Sequence, residues 1–104
     1  MIQVFRPSMG EEEVQAVWEV LESGWIGLGP KTAEFEGEFA AYVGAKYAVG
    51  LNSGTAALHL ALSAFGIGEG DEVLVPPITF VSTVHAILYN NASPVFVDVY
   101  PDTL

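Results

Sequence analysis

Three short apolar runs, at 47–51, 72–75 and 94–98, alternate with two segments of helical character, at 55–65 and 80–89. Strands alternating with helices are joined by crossovers, and crossovers build a parallel sheet rather than a meander. Val73-Leu74-Val75 and Val95-Phe96-Val97 are unbroken apolar runs, as in strands covered on both faces. The helix from Thr55 is apolar nearly all round, with only His59 and Ser63 polar, so burial on more than one side is expected. Gly66, Gly68 and Gly70 mark the first return loop, and Asn90, Asn91 and Ser93 the second. The expected class is α/β, a three-layer, mostly parallel sheet. Three covered strands need more layers than 104 residues supply comfortably, so the chain reads as the front part of a larger α/β protein.

Upstream of this pattern lie two amphipathic helices. Ser8 followed by Glu11 fits a capping box, with Val14, Val17, Trp18 and Leu21 on one face and Gly24 as the stop. A second helix should follow Pro30, with Phe35, Phe39 and Tyr42 on one face, Glu34 and Glu38 off it, and Gly44 at its end. Residues 1–45 are thus expected to form a helical arm with a loop, and 46–104 a βαβαβ unit. No internal repeat or low-complexity tract interrupts them.

Ligands of a parallel sheet bind beyond the C-terminal ends of its strands. Three segments should meet there: Asn52 to Ala56, Pro76 to Thr83, and Asp98 onward. In the first, Ser53-Gly54-Thr55 opens an apolar helix with no large side chain in the way. The first backbone N–H groups of a helix lack intrahelical partners and carry partial positive charge, so this turn is a candidate phosphate seat. It would equally serve as a plain strand-to-helix junction capped by Ser53. In the second, Pro76-Pro77-Ile78-Thr79-Phe80 delivers an aromatic ring to the start of the next helix. That ring could lie against a planar ligand, or make a core contact between helix and sheet.

Charge narrows the ligand classes. Thirteen acidic residues stand against Arg6, Lys31 and Lys46, a formal net charge of −10. So few cations disfavour nucleic-acid binding, and any anion must be held by backbone amides and hydroxyls. No cysteine is present, which removes disulfides, thiolate metal sites and cysteine nucleophiles. No run of about 18 apolar residues suggests a membrane span. The first residues lack the apolar core of a secretory signal, and the expected compartment is the cytoplasm.

Tyr47-Ala48-Val49-Gly50-Leu51-Asn52-Ser53-Gly54-Thr55-Ala56-Ala57-Leu58 resembles the cofactor-phosphate segment of the DegT/DnrJ/EryC1/StrS family of pyridoxal-phosphate (PLP) sugar aminotransferases. Asp71 to Pro76, then Thr79-Phe80-Val81-Ser82-Thr83, resembles the family's next strand and aromatic segment. Gly24 to Pro30 with Phe35-Glu36 resembles its N-terminal loop and helix, and Pro94 to Val99 its following strand. The likeness spans essentially the whole chain in order. It implies the N-terminal part of the type I aminotransferase fold, in a homodimer with shared active sites. It further implies that Ser53, Gly54, Thr55 and Ala56 hold the PLP phosphate and that Phe80 stacks on the pyridine ring. Trp25 and Gly27 would belong to a substrate-side loop.

The implied reaction converts a nucleotide-linked keto sugar to an amino sugar, with an amino acid as donor. The family's Schiff-base lysine and its pyridine-nitrogen aspartate match no segment here, and Lys31, Lys46 and Asp98 are not promoted to those roles. No catalytic residue is therefore assigned, and transamination by the isolated chain is not expected. A PLP-dependent sugar dehydratase of the same fold, or a non-catalytic phosphate-binding or dimerising remnant, are the rival readings.

Two decoys fall away. Gly29-Pro30-Lys31-Thr32 ends like a P-loop, but Pro30 removes a needed N–H and no strand precedes it. Gly27-Leu28-Gly29 lacks the third glycine of a dinucleotide fingerprint. His59 and His85 lack a second ligand at helical spacing and read as structural, so no metal site is expected.

Overall fold

A computed structural model describes residues 5–102. The chain divides into two compact units, one ending at Gly50 and the other starting at Leu51.

The first unit holds helices α1 (Glu11–Ser23) and α2 (Pro30–Val43). The capping box expected from Ser8 and Glu11 does not form. Gly10 is the N-cap, and its backbone N–H donates to Glu13 Oε2 at 2.6 Å. A carboxylate three residues inside the helix reaches back to the cap amide, so the reciprocal bond starts two residues later than expected. Gly24 ends α1 in the left-handed region, φ 72°, with its N–H on Leu21 O. α2 starts on Pro30, whose fixed φ suits a first helical position. Gly44 ends it at φ 70°. Phe35 and Phe39 pack ring to ring at 5.9 Å, and Ala40 is buried.

The second unit runs α3 (Gly54–Ala64), β1 (Glu72–Val75), α4 (Ser82–Tyr89) and β2 (Ser93–Phe96). β1 and β2 pair in parallel with Glu72 opposite Ser93 and Val75 opposite Phe96. Val75, Ile87 and Ala92 form the core, ringed by Leu62, Ile67, Val73 and Val84. Asn91 turns into β2 at φ 58°, a left-handed conformation asparagine tolerates better than most residues. The Asn90 amide donates to Ala86 O at 2.8 Å and to His59 O at 3.2 Å, fastening α4 to α3.

Further expectations are corrected. Residues 47–51 form no strand, because a strand needs a ladder and no described residue pairs with them. α3 has no buried residue, since α4 alone among the described elements packs extensively against it. The sheet is covered on one face only: Val75 is 1% exposed, while its neighbour Leu74, pointing the other way, is 68% exposed. The last helix also starts at Ser82 rather than at Phe80.

Candidate functional site

Topology sets the site's location. α4 follows β1 and leads back to the start of β2, so its N-terminus lies at the C-terminal ends of the strands. The loop after α3 lies against the other end of α4, where a Cβ on Gly68 would sit 3.6 Å from Asn90 O. The N-termini of α3 and α4 therefore share the strands' C-terminal edge, where a parallel sheet binds ligands.

At the start of α3, Ser53 is the N-cap with extended backbone, φ −164° and ψ 156°. Its Oγ accepts from Ala56 N–H at 3.2 Å, and its hydroxyl reaches Asn52 Oδ1 at 3.2 Å. Ala57 N–H takes Ser53 O at 3.1 Å. Among the described residues, Gly54 N–H and Thr55 N–H have no acceptor. Outside its chain neighbours and its own helix backbone, nothing lies within 4 Å of where a Cβ on Gly54 would project, and Ser53 and Gly54 are both exposed. Two aligned amides, the Thr55 hydroxyl and the positive end of an 11-residue helix form a donor set suited to a phosphate. Of the four residues proposed for this role, Ala56 already has its amide satisfied by Ser53.

Phe80 stands before α4 and is 76% exposed as a residue, so it is no part of the core among the described residues. Thr79 and Thr83 hydroxyls meet at 3.0 Å across it, tying the loop to the first turn of the helix. Asp98 follows β2 and caps the next amide, accepting from Val99 N–H at 2.9 Å.

In the first unit, the loop after α1 is folded on its own tryptophan. Trp25 N–H donates to Ser23 Oγ at 3.1 Å, and the indole Nε1–H donates to Leu28 O at 2.7 Å. A Cβ at Gly29 would run into that indole, so the close approach requires glycine. Gly27 is exposed with open space around it. With its N–H occupied, Trp25 can offer a ligand a ring face but not a donor.

Sequence reasoning missed one long-range bond. Glu36 Oε1 accepts from Gly50 N–H at 2.7 Å in a partly buried setting. Only the structure separates it from a solvated glutamate: Glu36 lies four residues before the buried Ala40, on the inner face of α2. Lys31, by contrast, pairs with Glu34 at 2.8 Å in full solvent, and that carboxylate holds its amine above the usual lysine range. Such an exposed pair adds little to stability.

The profile of the DegT/DnrJ/EryC1/StrS aminotransferase family matches residues 7–104. The chain belongs to this family. Over 98 residues it is 58% identical to the spore coat polysaccharide biosynthesis protein SpsC of Bacillus subtilis (strain 168), covering 94% of this chain and 25% of that protein. It superposes on Spr1654 of Streptococcus pneumoniae in its PLP form with a TM-score of 0.91 at 42% identity, covering 98% of this chain and 26% of that one. The aminotransferase TlmJ of Streptoalloteichus hindustanus gives a TM-score of 0.87 at 45% identity, over 100% of this chain and 29% of that one. The fold is therefore the α/β fold of these aminotransferases, and the chain spans about a quarter of its relatives' length. Among the described residues, no helix is long and apolar enough to cross a membrane.

Proposed function

We propose that this chain supplies the phosphate seat and the ring-stacking segment of a PLP-dependent transaminase that turns a nucleotide-linked keto sugar into an amino sugar. The observation that carries this reading is the pair of amides, Gly54 N–H and Thr55 N–H, that have no acceptor among the described residues, at an exposed helix N-terminus. With Lys31 paired to Glu34 and only three cations in the chain, backbone dipoles are the natural counter-charge for the phosphate. Bound there, PLP would supply an electron sink that carries an amino group from an amino-acid donor to the sugar.

The chain's own residues bind and orient. Gly54 and Thr55 amides and the Thr55 hydroxyl hold the phosphate, while Ser53 keeps the turn in shape through Ala56 N–H. Phe80 presents its face to the cofactor ring, which shields it from water on that side. The Trp25 to Gly29 loop, including Gly27, serves the substrate side. In this reading neither Lys31 nor Lys46 serves as the covalent lysine, and the working enzyme is a cytoplasmic homodimer. The name of the Bacillus relative suggests a place in polysaccharide biosynthesis.

Titrating the chain with PLP while following backbone amide NMR shifts tests the seat. Gly54 and Thr55 should move most, and borohydride reduction should leave Lys31 and Lys46 unlabelled. Phe80→Ala should weaken binding by about 1–3 kcal/mol, the scale of burying an aromatic side chain. Shifts confined to other residues, or a stable adduct on either lysine, would refute the assignment.

A further inference from the structure

We propose that the Thr79 and Thr83 hydroxyls form a positioning pair that fixes how Phe80 is presented to the cofactor ring. This rests on the ring-stacking reading above. All three residues belong to the second compact unit, and the two hydroxyl oxygens meet at 3.0 Å, either able to donate. The bond spans the entry to α4, where Val81 stands at the N-cap and no side chain of the described residues caps the helix.

The main chain shows what the pair encloses. Phe80 O accepts from Thr83 N–H at 3.0 Å, and Val81 O accepts from Val84 and His85 N–H at 3.1 and 3.0 Å. Phe80 is thus the first acceptor of the helix, with Thr79 on its loop side and Thr83 inside the first turn. Thr83 is half-buried and lines an apolar cavity of about 260 Å³ with Leu58 of α3, Val75 of β1 and Ile87 of α4. It is therefore anchored to the core, and its hydroxyl extends that anchor to the exposed Thr79. Both side chains are β-branched and stiff at χ1, so joining them restrains the backbone between them. A ring held near its bound placement loses less freedom when a ligand stacks on it, and that difference appears as affinity.

A double-mutant cycle on the full chain, with PLP as probe, tests the pair by titration and by Phe80 ring-proton shifts. Thr79→Val and Thr83→Val keep shape and branching, and each removes one hydroxyl. Each should weaken PLP binding about fivefold, the scale of one net hydrogen bond. The double variant should lose no more than either alone, because one bond is broken in all three. Thr79→Ser keeps the hydroxyl and should retain most of the affinity. Inorganic phosphate should move the Gly54 and Thr55 amides equally in every variant, because the pair acts on the ring end. If Thr83→Val fails to fold by circular dichroism, the contrast between Thr79→Val and Thr79→Ser decides alone.

Losses that add in the double variant, or a Thr79→Ser as weak as Thr79→Val, would mean that packing rather than the bond is responsible, and the proposal is wrong. It is equally wrong if the valine variants lose inorganic phosphate as they lose PLP. If PLP moves the Phe80 ring of the wild type and Thr79→Val matches it in affinity and shifts, the pair has no role while the stacking stands. If PLP leaves that ring unmoved in the wild type, the stacking reading fails and takes this role with it.

Discussion

α1 and α4 carry the same kind of sequence, an apolar stripe on a helix, and meet opposite fates. α1 is 13 residues long and buries none of them; Val14, Val17, Trp18 and Leu21 are all more than half exposed. α4 is eight residues long, and Ala86 and Ile87 are at most 2% exposed. Patterning states which face can be buried, whereas burial requires a second surface. β1, β2 and α3 supply that surface to α4. α1 is held chiefly by local devices, a reached-back carboxylate at one end and a left-handed glycine at the other.

The sharpest way to break this contrast is Ile87→Ala. Removing a fully buried branched side chain should cost about 2–5 kcal/mol, since lost transfer energy and a residual cavity add. Hydrogen exchange should show β1, β2 and α4 amides losing protection while α1 amides keep theirs. Equal loss in both units would mean that they unfold together, and the contrast between locally and globally held helices would be void.

A smaller effect should come from the caps. Ser53→Ala removes the hydroxyl that accepts from Ala56 N–H, which should destabilise α3 by about 1 kcal/mol. Ser53→Thr should recover most of it. α1 has no side-chain cap to lose at the equivalent position, so Gly10→Ala is expected to change its helicity less, read by exchange at its first-turn amides.

How much was legible follows from the same distinction between local and distant causes. Pro30, Gly24 and Gly44 set helix ends through their own backbone preferences, and each stands where the sequence places it. The parallel pairing of 72–75 with 93–96 was legible because a helix between two apolar runs leaves little alternative. Strand 47–51 was not, because its residue types suit a strand but its partner would have to come from elsewhere. The seat at Ser53 was visible as small residues opening a helix. That its hydroxyl satisfies Ala56, leaving Gly54 and Thr55 free, is a matter of rotamer and distance. Glu36 escaped because a single glutamate on a helix looks like a solvated charge until a chain 14 residues away passes over it.

The weakest test concerns the start of α1 and depends on pH. The Glu13 carboxylate accepts the Gly10 N–H, chiefly for that reason ionising below the usual glutamate range. A group whose pKa is lowered by folding stabilises the folded form above its unfolded value and loses that contribution as pH falls through the lowered one. First-turn amides of α1 should therefore exchange faster than the intrinsic acid trend as the solution is acidified below the glutamate range. Glu13→Gln should flatten the response by removing the titrating group while keeping an acceptor oxygen. The carboxylate is fully solvated, so the change should stay confined to that turn and leave the β1–β2 ladder untouched. A pH response shared by both units would show that the cap of α1 is coupled to the core after all, against the local character assigned to that helix.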